Sequence, residues 1–285
     1  MLLVLASFTA EMLSGSTPVL VFFTNPVSFI GNILLYGLGA LLIREVACRR
    51  NLGWASVLWM GAAYGIFEEG LVINTWANPW AEPVCTIVKG VENGLCDYSR
   101  LGGINLLWAL ELTTFHAIVS ITMPILMTSL VFPERSKRPW LGRTSIILCI
   151  LGELLCLAAG FFLNVATFRQ HGQAGPLLAP YLIEAILMLG CVTIALNLRS
   201  RSASLASRGA PDVWMLRALG FVGMAIALLS PGFYKAAHVL FPIALLTNFV
   251  ILLAATWRVT TWSKRTGWNE RHILALASGA FALLK

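Results

Sequence analysis

The stretch GWASVLWMGAAYGIFEEGLVINTW, residues 53–76, is apolar over a length that can cross a bilayer, yet it carries Glu68 and Glu69 side by side. A carboxylate at the centre of a membrane helix costs roughly 2.5–3.5 kcal/mol even on lenient insertion scales, so an intramembrane pair marks a functional site by default. The next apolar stretch, 103–131, carries Glu111 and His116. Both features point to a membrane bundle with a polar centre.

The rest of the chain reads the same way. Its 285 residues are 58% hydrophobic and 12% charged, with a mean hydropathy of +0.80, which places it with integral membrane proteins and not with soluble domains. A window of about 20 residues picks out seven spans, 27–48, 53–76, 103–131, 143–168, 179–199, 213–231 and 235–258. Segment 1–24 is apolar but interrupted by Glu11, Ser14 to Thr17 and Pro18, so it spans, breaks or lies at the interface. It lacks the basic n-region of a signal peptide. Segment 271–285 is short for a span. The expectation is an all-α polytopic transmembrane bundle of about eight spans, forming a single integral membrane domain over 1–285. Loop 199–212, rich in Ser, Ala and Arg, is the best internal boundary.

The net charge of +7 comes from Lys and Arg clustered between the apolar segments. Loops holding Arg44, Arg49 and Arg50; Arg135, Lys137, Arg138 and Arg143; Arg199, Arg201, Arg208 and Arg217; and Arg258, Lys264, Arg265 and Arg271 carry fifteen basic residues, against Lys89, Arg100, Arg169 and Lys235 on the other side. By the positive-inside rule the first set is cytoplasmic and loop 77–102 is extracytoplasmic. These are orientation signals, so the basic charge implies the lipid bilayer as partner and no nucleic acid. An outward loop meets an oxidising compartment, where Cys85 and Cys96 form a disulfide. Cys48, Cys149, Cys156 and Cys191 read as small apolar fillers, and no CxxC or His/Cys spacing supports a sulfur-ligated zinc.

At about 1.5 Å per residue, Glu68 and Glu69 lie roughly 10 Å below the outer end of their span, with Glu111 at similar depth and His116 deeper. On an α-helix Glu68 and Glu69 diverge by about 100°, and Glu111 and His116 by about 140°, so aiming all of them at one point needs a wide cavity or a local irregularity. Gly65 and Gly70 let another backbone approach the pair. A structural role for the glutamates would be bonding to Tyr64, Asn74 or a neighbouring helix. Glu11 and Glu184 lie near helix ends; Glu153 and Asn248 lie nearer the midplane.

The run from Tyr64 to Leu71, followed by Phe115-His116 and later by His238, resembles the intramembrane protease superfamily of CAAX prenyl endopeptidases, bacteriocin-processing (CPBP) enzymes and PrsW-like proteases. The resemblance implies a helical bundle of about eight spans and a glutamate-dependent hydrolase, with Glu68 or Glu69 activating water and His116 and His238 as the second and third catalytic motifs. Glu111 then lies beside a membrane-anchored peptide or small-molecule substrate. Two glutamates with one or two histidines also suit a divalent metal such as zinc. The same parts serve a proton-linked solute carrier or survive in a non-catalytic membrane protein.

Overall fold

A computed structural model describes residues 1–80, 98–198, 206–263 and 265–282. Cys85 and Cys96 lie outside the described residues. Among the described residues six helices are long and apolar enough to cross a membrane: α3 (Pro26–Arg49), α5 (Leu106–Val131), α7 (Arg143–Gln170), α8 (Leu178–Asn197), α9 (Val213–Ala236) and α10 (Phe241–Trp262). The remainder are α1 (Leu2–Met12), α2 (Val19–Thr24), α4 (54–72), the short α6 (Pro133–Ser136) and α11 (Glu270–Phe281).

Several boundaries differ from the sequence reading. Segment 1–24 breaks after Met12, leaving an apolar helix too short to cross and a second short helix after Pro18. Residues 53–76 are helical only as far as Val72 and do not count among the six spanning helices, because the glutamates and glycines dilute the stretch. The span expected from residue 103 starts at Leu106, capped by the Asn105 side chain, which accepts from the Trp108 amide; a small hairpin pairing Arg100 with Asn105 occupies the preceding residues. Segment 271–285 is helical from Glu270 to Phe281.

The chain divides into two compact units, Met1–Leu198 and Arg199–Lys285, with the division at the start of the Ser/Arg-rich loop. In the first unit α4 and α5 are the most enclosed elements, whereas α7 and α8 leave Leu148, Leu155, Phe162, Leu163, Leu182 and Ile186 exposed, as lipid-facing helices do. Arg44 is not a loop charge. It is buried in α3, where its Nη2 donates to the carbonyls of Arg135, Ser136 and Arg138 and its guanidinium lies 3.4 Å from the Trp140 ring centroid. Glu45 completes this clamp by accepting from the Trp140 amide and from Arg49. Cys48, Cys149, Cys156 and Cys191 are free thiols.

In the second unit α9 and α11 cross with almost no gap. A Cβ on Gly220 would collide with the Leu276 carbonyl, and one on Gly279 with the Arg217 carbonyl. Small residues permit such backbone approach where apolar burial alone gives helices no preferred partner. Asn248 of α10 bonds Ser230 of α9 at 3.0–3.1 Å, a polar tie between two apolar helices.

Candidate functional site

Helix α4 changes character at the glutamates. It is α-helical from Trp54 to Gly65 and π-helical from Ile66 to Val72, and α5 does the same at His116–Thr122. A π-turn bonds i to i+5, so the turn widens and consecutive side chains open by a smaller angle than on an α-helix. This is the irregularity that lets both glutamates meet one histidine. His116 Nε2 lies 3.0 Å from Glu68 Oε2 and 3.2 Å from Glu69 Oε1. Gly65 makes the approach possible, since a Cβ there would stand 2.9 Å from His116 Cβ and 3.2 Å from Thr113 Cα.

Each of the three side chains is held from behind. Glu68 Oε1 is 2.8 Å from the Tyr36 hydroxyl, Glu69 Oε2 accepts from the Thr75 hydroxyl, and His116 Nδ1 is 2.8 Å from Ser120 Oγ. Thr75 is delivered by the end of α4: Asn74 takes the left-handed conformation (φ 61°), and the Thr75 amide returns to the Glu69 carbonyl at 2.8 Å. Asn tolerates that conformation better than most residues and terminates helices there. Trp108 Nε1 donates to Thr75 from α5. Tyr36 lies in a third π-segment, Ile33–Gly37, and its ring stacks on the His116 imidazole with centroids 5.9 Å apart. Its hydroxyl also reaches Glu11 Oε1 at 2.7 Å, and Glu11 lies in a fourth π-segment, Phe8–Met12. All four π-segments among the described residues carry a member of this cluster.

Tyr36, Glu11, Thr75 and Ser120 are residues that the sequence reading did not assign to the centre. The expected partner Tyr64 instead donates to the Leu35 carbonyl, and Asn74 positions a turn. Glu68 and His116 have side-chain exposures of only 2% and 3%, whereas Glu69 keeps 12%, so Glu69 is the more approachable carboxylate. Glu111 is buried on α5 with its Oε2 unpartnered, and it is not in the group of metal-capable atoms formed by Glu68, Glu69 and His116. His238 belongs to the second unit, exposed in the turn after α9 in a left-handed conformation (φ 53°).

The donor set fits a divalent cation. One ligand atom each from Glu68, Glu69 and His116 lie within 4.8 Å of one another, and Glu68 Oε2 has no hydrogen-bond partner. Bonds of about 2.0–2.1 Å in a tetrahedral zinc site put neighbouring ligand atoms about 3.3 Å apart, near the two separations from His116 Nε2. The bonds from Tyr36, Thr75 and Ser120 are the outer contacts that orient ligands of this kind.

A model of an uncharacterized membrane protein family matches residues 1–282. The chain belongs to this family. No curated protein and no solved structure matches it. Family membership agrees with the helical, multi-pass architecture, and the family's description names no activity.

Proposed function

We propose that this family member is a glutamate-dependent intramembrane hydrolase acting on a membrane-anchored peptide, similar in its chemistry to the CPBP and PrsW-like proteases that its Glu-Glu and His motifs resemble. The observation that carries the reading is the convergence of Glu68, Glu69 and His116 at 3.0–3.2 Å, each oriented by a separate hydrogen bond. Preorganised polar groups in a water-poor site act on a reacting centre without reorganising, and that is the largest source of rate in most such enzymes.

Glu69 takes the role of base, because it alone of the three retains access, and its second oxygen is fixed by Thr75. It removes a proton from water as the oxygen attacks the scissile carbonyl. Glu68, held by Tyr36, keeps the imidazole in place, and His116 positions the water and stabilises the developing oxyanion. A divalent metal held by Glu68, Glu69 and His116 would supply Lewis acidity at the same point.

A second reading, a proton-linked carrier, has one observation in its favour. Glu11, Tyr36, Glu68 and His116 form a continuous series of polar contacts of 2.7–3.0 Å. The phenol has a single proton for two carboxyl oxygens, so one of those contacts requires a proton on a glutamate.

Purified protein tested against a library of membrane-anchored peptides, and in liposomes for pH-dependent solute flux, separates the readings. Glu69→Gln retains shape and removes the base, so cleavage is lost with folding intact. Cleavage or flux surviving in the Glu68→Gln/Glu69→Gln double variant would defeat both and leave a structural cluster.

A further inference from the structure

A cavity of about 490 Å³ lies where α5 ends, lined by Leu2 of α1, by Thr128 and Phe132, and by Arg135, Arg138 and Trp140 of the turn that follows. Its size falls in the range of small-ligand sites, roughly 300–1,000 Å³. Thr128 stands about 18 Å along α5 from His116, so the cavity is separate from the glutamate and histidine centre.

The backbone of the turn is held through its carbonyls. Arg44 Nη2 donates to those of Arg135 and Arg138, and Trp140 Nε1 donates to that of Arg135. The exposed guanidinium groups of Arg135 and Arg138 are left free of this clamp. Arg44 and Arg49 share Glu45, whereas Arg135 and Arg138 have no carboxylate partner among the described residues. Thr128 is an orphan of another kind. Thr114, Ser129 and Thr167 each donate to the carbonyl four residues back, the usual bond of a helical hydroxyl. Thr128 is only 2% exposed, and its Oγ1 has no partner. Two unpaired cations and an idle hydroxyl on one cavity match an anion rich in acceptor oxygens, as a phosphate is.

Position narrows the source of that phosphate. Helix α5 stops at Val131 and α7 starts at Arg143, so the cavity lies at the ends of two helices long enough to span, at the level of lipid headgroups. Phe132, which lines it, and Val131 before it are exposed and offer an apolar path for acyl chains, from which a soluble anion would gain nothing. A zwitterionic headgroup would bring an ammonium against the arginines. The distribution of basic residues assigns this end to the cytoplasmic leaflet, where anionic lipids concentrate.

We infer that this cavity binds the phosphate of an anionic phospholipid, with Arg135 and Arg138 as charged donors and Thr128 as a neutral one. Bound there, the lipid joins the start of α1 to the turn after α5. Its binding stands whether the Glu68–Glu69–His116 centre hydrolyses, transports or does neither.

The test is native mass spectrometry of the purified full chain, released from micelles that contain phosphatidylglycerol or phosphatidylcholine with the same acyl chains. One phosphatidylglycerol per wild-type chain is expected to be retained in preference. Arg135→Gln/Arg138→Gln should weaken its binding roughly 30-fold. Lys137→Gln/Arg143→Gln removes as much charge from outside the cavity and should leave binding near wild type. Equal retention of the two lipids, or equal losses in the two double variants, would overturn the site and leave diffuse attraction to charge. Glycerol phosphate displacing the lipid at the lipid's own concentration would overturn it in favour of a soluble phosphate. Should Arg135→Gln/Arg138→Gln fail to fold, the nearly isosteric Thr128→Val decides: weaker phosphatidylglycerol binding is expected, and wild-type binding sinks the proposal.

Discussion

Tyr36 contacts three members of the polar centre: its hydroxyl lies between Glu11 and Glu68, and its ring stacks on His116. Tyr36→Phe preserves the stack and removes the only hydroxyl between two carboxyl groups. Leaving a buried acceptor unsatisfied costs about 1–3 kcal/mol, so the melting midpoint falls and cleavage of a membrane-anchored peptide slows; a variant melting like the wild type would show that the hydroxyl bonds nothing of consequence. Arg44 has a different role. Its guanidinium ties α3 to three carbonyls of the 135–138 turn and pairs with Glu45 at 3.5 Å, both side chains being at most 3% exposed. Arg44→Ala leaves three carbonyl acceptors without their donor and removes the guanidinium from the Trp140 ring, while Glu45 keeps Arg49 and the Trp140 amide. A loss of about 1–3 kcal/mol is expected, together with new protease sensitivity at residues 133–142. Arg44→Lys rescues only in part, because an ammonium restores a charged donor but not the planar group that stacks on Trp140.

The α4–α5 contact depends on the absence of a side chain. With His116 Cβ already 2.9 Å from where a Cβ of residue 65 would stand, Gly65→Val forces the helices apart just where the site needs them close. Overpacking of this kind costs about 1–3 kcal/mol, and the larger consequence is geometric: His116 withdraws from both glutamates. Activity is then lost while much of the fold remains, which peptide cleavage and circular dichroism measured on one sample can show. Wild-type activity in Gly65→Val would place the working contact elsewhere. The π-segments of α4 and α5 belong to the same argument, since an α-helical turn at residues 66–72 would swing one glutamate away from the histidine.

For the whole molecule, the distribution of basic residues predicts that loop 77–102 faces outward. Cysteines introduced at Asn93 and Leu205 test this with a membrane-impermeant reagent on intact cells: labelling at 93 and protection at 205 are expected, and the reverse inverts the topology. Non-reducing peptide mapping should find Cys85 joined to Cys96, a crosslink worth about 2–4 kcal/mol by loop entropy, and free thiols there would remove it. Class and most spans were legible in the sequence because membrane insertion is read from runs of apolar residues, a local property of about 20 consecutive positions. The Glu-Glu pair and His116 were legible as well, because ionisable groups in such runs are costly enough to be noticed wherever they stand. Their convergence was not legible, since a regular α-helix sends Glu68 and Glu69 in directions 100° apart, and only the π-turns seen in the fold bring both to His116. The roles of Tyr36, Glu11, Thr75 and Arg44 were equally hidden. Hydrogen bonds across 25 to 94 positions have no signature in local composition, and packing of distant segments alone decides which donor meets which acceptor.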